Sequence, residues 1–444
     1  MAFNWLFVVQ NFEIKSYQDS AAKTEVVEPI LASEFVNQHR VMCFDRTYQD
    51  YYADIVKRSV NNISQNLQDK AVVIYGGGLH TEQHLALFSR FNIVAIADRD
   101  KKLWDTTIAG FLIISPAQIP RYSQDVIISS KAYEDAIYQE LSAENPQLSL
   151  HKLYYLQENN KEFNQQMSKK LLVELTSNTP DILFYCPTHP ADCLPVQYWL
   201  QIKQRFPDVK FVTLWWDYDV ESEHSPYLQF ERDCLLWNDL CIENSNATRL
   251  KEMKQGEKPY QLHTNIEKVI FHPTIFDPVL FYMEEPVDKQ YDIALFGSAA
   301  GERKQWISFL NAEYPDNFHH IGGVLHGEST LSIEKYASAL RRTKICINTQ
   351  TYSAREQCKG KVRETLACGV VLLEQDNQQT KALLKEGEGV LYFSSKKELK
   401  EKLTWLLNTP GKIEEIIEKG QQVWQKRMNC QQWTKTLLEN VNLQ

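Results

Sequence analysis

Short apolar runs alternate with amphipathic stretches along this chain, starting near its first residue. The run "WLFVVQ", from Trp5 to Gln10, has the length of a strand, and a polar loop follows it. The stretch "AAKTEVVEPILASEFVNQ" (21–38) then shows helical spacing, and "HRVMCFD" reads as a second strand. This order predicts a βαβ unit and therefore a parallel sheet.

The same pattern restarts at "KAVVIYGGGLHTEQHLALFSRFNIVAIADRD", which reads as strand, glycine turn, helix and strand. The segments "GFLIISPAQIP" and "DVIISS" add two short strands. We therefore expect residues 68–160 to form a small Rossmann-like unit inserted into a larger domain.

The rest of the chain continues the first series of strands and helices and then adds a third. "DILFYC" and "VKFVTLWWDYD" continue the first series, and "VIFHPTIFDPVLF" resembles an interdomain linker. A third series starts at "YDIALFGSAAGERKQW" and ends in an amphipathic helix anchored by Trp424 and Trp433. The prediction is an α/β protein with two Rossmann-like domains facing a cleft, formed by residues 1–67 with 161–284 and by residues 285–444, plus the insertion at 68–160.

Composition and charge exclude some classes of protein. The 444 residues carry a net charge of -9 with pI near 5.7, which argues against nucleic acid as a partner. The nine cysteines form no CxxC pair, as is typical of reduced intracellular thiols. Because the sequence shows neither a leader peptide nor an apolar run of about 20 residues, we expect a cytoplasmic protein without a transmembrane segment. Peripheral membrane contact and the oligomeric state are left open.

The insertion carries part of a dinucleotide-binding fingerprint. Gly76 and Gly78 follow an apolar strand, and Asp98 ends the next one, where an acid can hold a ribose hydroxyl. The third glycine of the fingerprint is replaced by Thr81. A structural turn that binds nothing and a nicotinamide dinucleotide site are both open here.

Asp217 and Asp219 follow the strand that ends in "LWW". Ligands bind at the carboxyl ends of strands in open α/β sheets, so these acids are candidates for a catalytic base or for binding a hydroxyl group. The alternative is an acidic surface turn. The Asp-x-Asp spacing also allows a divalent metal on phosphates, which is the lesser alternative.

A phosphate-binding turn is predicted at "ALFGSAAGERKQW". Gly297 and Ser298 lie at a strand end, where small residues leave room for phosphate oxygens, and Arg303 supplies a cation in the helix that follows. A plain strand-to-helix turn is the alternative.

The segment "AREQCKGKVRETLACG" places charge at the start of an apolar helix. Arg355, Lys361 and Arg363 are suited to neutralising a diphosphate, and Glu364 is placed to accept hydrogen bonds from ribose. Glu356 and Glu364 have an E-x₇-E separation. A capping glutamate with a solvated charge run is the alternative.

The ordered set "KICINTQ…VRETLACGVVLLEQD…KALLKEGEGVLYFSS" resembles the carboxyl-terminal half of GT-B glycosyltransferases, and most closely the spore-maturation (CgeB-like) group. The likeness covers residues 291–433, with Asn348 as the asparagine of the pattern, and a fainter likeness covers residues 3–51. The usual Pro-Phe-Gly between the two glutamates is missing.

The resemblance implies a glycosyltransferase that moves a sugar from a nucleotide-diphosphate donor to a glycan, lipid-linked or protein acceptor, in synthesis of bacterial surface polysaccharide or glycoconjugates. It implies that Glu364 holds the ribose, that the nearby cations and the turn at Gly297, Ser298 and Arg303 face the diphosphate, and that no cofactor is required. The rivals are a non-catalytic nucleotide-sugar-binding scaffold on a GT-B frame and an NAD-dependent sugar-modifying enzyme that uses the insertion.

Overall fold

The computed structural model describes residues 1–10, 17–44, 52–131, 133–187, 193–216, 226–283, 288–299, 301–322, 331–350 and 356–443. Contacts divide the chain into two compact units. The first comprises Met1–Asn11, Lys15–Asp45 and Leu171–Gln444, and the second comprises Phe12–Ile14 and Arg46–Lys170.

Strands are numbered in chain order. They are β1 Phe3–Gln10, β2 Val36–Cys43, β3 Ala71–Tyr75, β4 Asn92–Ala97, β5 Thr107–Ile108, β6 Phe111–Ile114, β7 Asp125–Ile128, β8 Ser149–Lys152, β9 Ile182–Pro187, β10 Lys210–Trp215, β11 Leu240–Glu243, β12 Val269–Phe271, β13 Tyr291–Phe296, β14 Phe318–Ile321, β15 Thr343–Asn348, β16 Val371–Gln375 and β17 Val390–Phe393.

Helices connect these strands. They are α1 Glu28–Leu31, α2 Ala53–Leu67, α3 Leu79–Phe88, α4 Glu134–Glu144, α5 Leu156–Ser177, α6 Val196–Arg205, α7 Pro226–Trp237, α8 Ala247–Gln255, α9 Arg303–Glu313, α10 Ile333–Arg341, α11 Gly360–Ala367, α12 Gln378–Lys381, α13 Lys396–Asn408, α14 Lys412–Val423 and α15 Cys430–Asn440.

The first unit contains two parallel sheets, with strand orders β12-β11-β10-β9-β1-β2 and β14-β13-β15-β16-β17. Parallel strands that helices cover on both sides are apolar on both faces. In β9, for example, all six residues are buried. The predicted α/β class with two Rossmann-like sheets is confirmed.

The second unit has its own sheet, in the order β5-β6-β4-β3-β7-β8, which is parallel except for the β5–β6 hairpin. Helix α2 packs into the core of this sheet through Ile55, Val60 and Ile63. The second unit therefore begins before residue 68, the position at which the sequence predicted that the insertion would start.

Two predicted helices differ from the structure. The helix expected over 21–38 is a π-helical turn, Lys23–Val27, followed by α1, and β2 already begins at Val36. Pro29 is tolerated near the start of α1, and the helix ends in a turn where the N–H of Ser33 donates to the carbonyl of Ile30 at 3.0 Å. The final helix is interrupted at Asn429, whose side chain caps α15.

The carboxyl-terminal helix α15 packs against the first sheet of its unit. Trp433 is 2% exposed, belongs to the core beside Phe7 and Ile242, and donates from Nε1 to the carbonyl of Pro273 at 2.9 Å. Trp424 is partly buried against the cores of both sheets. The two predicted anchors therefore tie the end of the chain to its beginning.

Candidate functional site

The candidate site lies at the carboxyl ends of β13 and β15. From β13 the chain passes to β14 on one side of the sheet and then returns to β15 on the other side. This reversal is a topological switch point, where the loops diverge and leave a crevice in which ligands of open α/β sheets bind.

Gly297 follows β13 and forms the floor of a small niche. Its φ is +109°, a conformation that L side chains rarely adopt. A Cβ atom here would lie 3.1 Å from Nη1 of Arg303 and 3.8 Å from Nζ of Lys361. Glycine therefore leaves open a space bordered by two cations.

Arg303 begins α9 and fastens the turn after β13 to the end of β15. Its Nε donates to Oγ1 of Thr349 at 3.2 Å, Nη2 donates to the carbonyl of Thr349 at 2.8 Å, and Nη1 donates to the carbonyl of Ser298 at 3.2 Å. Burial lowers the pKa of the guanidinium, which is 6% exposed. Of its five N–H groups, two have no acceptor among the described residues and remain for a ligand.

Lys361 is the second residue of α11 and supplies the other cation. Within the described ranges its ammonium makes no hydrogen bond or ion pair, and it lies 5.8 Å from the ring centre of Tyr336. The N-cap residue, Lys359, makes no side-chain capping bond. The helix start therefore adds its own positive potential to that of the two cations.

Glu364 lies one turn after Gly360 on α11. It is 8% exposed, its Oε2 accepts a hydrogen bond from the Tyr336 hydroxyl, and its Oε1 faces the position a Cβ of Gly360 would take, 3.1 Å away. Burial raises the pKa of this carboxyl, while Lys361 opposes the rise. The carboxylate thus points back toward the helix start, as side chains on a helix do.

Sequence reasoning missed Glu374, at the end of β16. It is fully buried, and its carboxylate accepts from Asn348 Nδ2 at 2.7 Å, Asn377 Nδ2 at 3.1 Å and Thr380 Oγ1 at 3.3 Å. Burial raises its pKa to about 7. A carboxylate inside the apolar run "GVVLLEQD" was the signal that could have found it.

Arg363 lies away from the niche. It is 2% exposed, and its guanidinium is 5.7 Å from the ring centre of Phe276. Nη1 donates to Cys358 Sγ at 3.5 Å and Nη2 to Thr274 Oγ1 at 3.4 Å, whereas Nε has no partner among the described residues. Thr274 in turn donates to Glu25 Oε2 at 2.8 Å. Arg363 therefore faces the chain that joins the two sheets.

Glu356 caps a helix. Its Oε2 accepts from the backbone N–H of Gln378, at the start of α12, at 2.7 Å. Its carbonyl accepts from Asn246 Nδ2 at 2.8 Å.

The carboxyl ends of the two sheets in the first unit meet at this point. Ser245 accepts from the backbone N–H of Cys358 at 2.8 Å, and Thr248 and Gln379 exchange two hydrogen bonds of 3.2 and 2.7 Å. Glu243 holds the turn after β11 by accepting from the N–H groups of Ser245 and Asn246, each at 3.0 Å. The site is therefore bounded by loops of both sheets.

Three predicted site residues lie outside the described residues. Asp217 and Asp219 follow β10 and Trp216, and Arg355 precedes Glu356. Their assignment as candidate catalytic acids and as a donor-binding cation stays a prediction.

The glycine turn of the second unit is tightly self-bonded. A Cβ on Gly76, whose φ is +120°, would lie 2.7 Å from the carbonyl oxygen of Ser129. Asp98 accepts from the N–H of Gly77 at 2.6 Å through Oδ2 and from the N–H of Asp100 at 2.7 Å through Oδ1. Gly78 is the N-cap of α3 with open space above it. One oxygen of the predicted ribose-binding acid thus holds the glycine turn, and the other holds the loop after β4.

The described residues contain neither a metal-binding cluster nor a membrane-spanning helix. Among them, no group of three or more His, Cys, Asp or Glu side chains is arranged to hold a metal ion. None of the helices in the described ranges is both long and apolar enough to cross a membrane.

Comparison with known proteins gives two family matches. Residues 283–439 match the model of a family described as glycosyl transferase-like, and residues 68–147 match one described as C2185-like, N-terminal. No curated protein matches the chain.

Several solved structures are similar over much of the chain at low identity. HepE from Anabaena, in complex with UDP-glucose, is 13% identical over 84% of this chain and 99% of its own, with a TM-score of 0.45. Sucrose-phosphate synthase from Thermosynechococcus elongatus is 11% identical over 83% and 96%, with a TM-score of 0.42. The catalytic domain of starch synthase IV from Arabidopsis thaliana, bound to ADP and acarbose, is 10% identical over 84% and 99%, with a TM-score of 0.43.

The family match covers β13 to α15 and so includes the whole niche at Gly297. The likeness to the spore-maturation group stays a prediction. Residues 283–439 are thus similar to a glycosyl transferase-like family, in a unit built on two parallel, Rossmann-like sheets.

Proposed function

We propose that this protein is a glycosyltransferase with a GT-B fold, which moves a sugar from a nucleoside-diphosphate sugar to a carbohydrate or glycoconjugate acceptor, in the synthesis of surface polysaccharide or glycoconjugates. The observation that carries the proposal is the niche over Gly297, bordered by Arg303 and by the ammonium of Lys361, which has no hydrogen-bond or ion-pair partner in the part of the chain that the structure describes. Two cations and a helix start converging on an open space suit a diphosphate.

The chemistry required at this point is electrostatic. Cleaving the bond between sugar and diphosphate builds negative charge on the leaving group, and cations fixed beforehand in a partly buried site stabilise that charge. Arg303 is already held by three hydrogen bonds, so it does not need to reorganise during the reaction. The proposal needs no metal cofactor.

The nucleoside is assigned to Glu364, on the face of α11 that carries Lys361. Its carboxylate has accepting capacity beyond the bond from Tyr336, and two ribose hydroxyls match it. Ser298 and Asn348, at the ends of β13 and β15, complete this side of the proposed donor site.

The remaining predicted residues have other places in the proposal. Arg363 and Glu356 shape the site by holding residues 356–359 against the first sheet and α12. Arg355 stays a proposed donor-binding cation. Asp217 or Asp219, which follow the first sheet's β10 in sequence, is the proposed catalytic base on the acceptor side.

A ligand screen tests the proposal. Thermal unfolding is followed with UDP, GDP, ADP, their common sugar conjugates and NAD⁺, because a ligand that binds only the folded state raises Tm by mass action. We expect at least one nucleoside diphosphate to raise Tm, and the matching nucleotide-sugar to be consumed when oligosaccharide acceptors are added. A rise with NAD⁺ alone, or binding without any sugar transfer or hydrolysis, would contradict the proposal in favour of a dehydrogenase or a scaffold.

A further inference from the structure

A cavity of about 420 Å³ lies where the chain crosses between the two sheets of the first unit. The outward crossing runs from β12 to β13, and the return runs through a π-helical turn, Trp424–Met428, that leads from α14 toward α15. Tyr282 and Met283 line the cavity from the outward crossing, and Trp424 lines it from the return. Cavities that bind small molecules have volumes of about 300–1,000 Å³, so this one has room for a ligand.

The cavity is separate from the niche over Gly297. It reaches Ala367, the last residue of α11, whereas the niche is bordered by Lys361 near the start of the same helix. At 1.5 Å of rise per residue, these two positions lie about 9 Å apart along the helix axis. None of the residues that border the niche lines the cavity. A ligand of the cavity is therefore a second ligand, distinct from the donor.

The described residues that line the cavity include no charged side chain. Its polar part comes mainly from four amide side chains, those of Gln421, Gln425, Asn429 and Gln431. An amide both donates and accepts hydrogen bonds, as a hydroxyl group does, whereas a phosphate or carboxylate ligand is best bound by a cation. The lining therefore favours a neutral ligand that carries several hydroxyl groups.

Two of these amides are held in place by the protein. Gln421 donates from Nε2 to the carbonyl of Leu366, and its oxygen accepts no hydrogen bond from the described residues. Gln431 accepts at Oε1 from the N–H of Glu34 at 3.0 Å and donates from Nε2 to the carboxylate of Glu34. Side chains that are fixed in advance lose little conformational entropy when a ligand binds.

Three further polar groups of the lining are uncommitted. Within the described ranges, the amide of Gln425, the indole N–H of Trp424 and the hydroxyl of Tyr282 make no hydrogen bond to the protein. The half-buried indole adds a flat apolar surface with its N–H at the edge. A pyranose ring has the complementary pattern, because its faces carry C–H groups and its rim carries hydroxyl groups.

We propose that this cavity is a second ligand site, which binds a neutral saccharide through its amide side chains and the indole of Trp424. Binding here requires neither a nucleotide nor the transfer of a sugar, so the site goes beyond the proposed function. Because both crossings line the cavity, a bound saccharide contacts both of the segments that connect the two sheets.

The test is a titration of the full chain, labelled with ¹⁵N-tryptophan, with neutral sugars at millimolar concentration. The sugars are glucose, galactose, N-acetylglucosamine, rhamnose, lactose, maltose and chitobiose. The resonance that disappears in Trp424→Phe identifies the indole of Trp424 among the ten tryptophans, and Trp405→Phe identifies an exposed indole of α13. We expect at least one sugar to shift the Trp424 resonance and to leave that of Trp405 in place, with or without saturating UDP.

A matched pair of variants tests the lining. Gln425→Ala removes an exposed amide of the cavity and should raise the Kd of the bound sugar by roughly threefold or more, because one neutral hydrogen bond is lost. Gln422→Ala removes an exposed amide of α14 that does not line the cavity and should leave the Kd unchanged. Saturation-transfer NMR on the sugars measures the Kd without any assignment, so the comparison stands even if Trp424→Phe does not fold.

Each contrary outcome separates this inference from the proposed function. If no neutral sugar shifts the Trp424 resonance or receives saturation, the inference is overturned, whether or not UDP binds. Equal affinities in Gln425→Ala and Gln422→Ala, or a sugar that UDP displaces, would place the sugar elsewhere and overturn it too. A stronger shift with the anionic sugar N-acetylneuraminate would assign a different ligand class to the cavity. If UDP fails to bind while a neutral sugar still shifts Trp424, only the proposed function fails.

Discussion

Lys361 and Arg303 come from two different helices and border the same glycine. A Cβ on Gly297 would lie within 3.8 Å of the lysine ammonium and 3.1 Å of the arginine guanidinium. Arg303 is fixed by three hydrogen bonds, whereas Lys361 has no hydrogen-bond or ion-pair partner among the described residues. One cation therefore shapes the niche, and the other is free to bind what enters it.

Lys361→Met should weaken nucleoside-diphosphate binding by roughly 10- to 100-fold, because a hydrogen bond to a charged group contributes about 1.5–3 kcal/mol. Calorimetric titration with UDP and GDP measures the loss. Lys304→Met removes the same charge from an exposed position beside Arg303 and should change the affinity by less than about twofold. Equal affinities for both variants would remove Lys361 from the donor site.

Gly297→Ala should impair binding in addition to destabilising the fold. The new methyl group would contact Arg303 and fill the niche, and a non-glycine residue at φ +109° costs about 1–3 kcal/mol. Gly256→Ala is the control, since Gly256 also has a positive φ, +65°, but has open space around it. It should lower Tm without changing nucleotide affinity, and a Gly297→Ala protein that binds like the wild type would place the diphosphate elsewhere.

Glu364→Ala should abolish donor binding if its carboxylate holds the ribose. Tyr336→Phe removes only the hydroxyl that donates to Glu364 and should keep binding within a few-fold. Arg363→Ala should weaken binding together with stability, because its side chain is 2% exposed against Phe276 and Thr274. Wild-type affinity for a nucleoside diphosphate in Glu364→Ala would refute the ribose assignment.

Glu374 should make the protein less stable as pH rises from about 4.5 to above 7. Its folded pKa of about 7 exceeds the ordinary value of 4.5, so over this range the folded state holds a proton that the unfolded state has lost. At about 1.4 kcal/mol per pKa unit, the loss approaches about 3 kcal/mol. Urea unfolding at pH 5 and pH 8 checks this, and Glu374→Gln should gain stability relative to the wild type at the higher pH. A pH-independent difference between the two proteins would contradict the raised pKa.

His272 should contribute to acid lability. Burial lowers its pKa from 6.5 to about 4, and the ring stacks on Trp433 with centroids 4.8 Å apart. As pH falls from 6.5 to 4 the unfolded state takes up a proton that the folded state does not, so about 3 kcal/mol of stability is lost. Urea unfolding followed by tryptophan fluorescence should show a shallower loss for His272→Gln over this range. Identical slopes would mean that His272 does not titrate in this way.

The order of strands and helices could be read from the sequence, because apolar runs of strand length and helical spacing recur three times. The sequence also pointed to the glycine at the end of β13 and to the charged start of α11 as candidate site features. A segment that served only to pack the core would not need a glycine or charged residues at these positions. These features predicted an α/β fold and a phosphate-binding edge of one sheet. They did not reveal that the helix over 21–38 is short, because its end depends on a local turn and on the pairing of β2 with β1.

The tertiary structure decided which charged residue faces the niche. Lys361 and Arg363 are two positions apart and therefore point roughly 200° apart on α11, so they cannot both face Gly297. Packing turns Lys361 toward the niche and Arg363 toward Thr274 and Phe276, while Glu364 faces Tyr336 and the start of α11. By the same means Glu356 became a helix cap, and Glu374 became a buried carboxylate held by Asn348, Asn377 and Thr380. Sequence determines which charges are available, whereas burial and the direction of each side chain, which only the folded chain fixes, determine what those charges can bind.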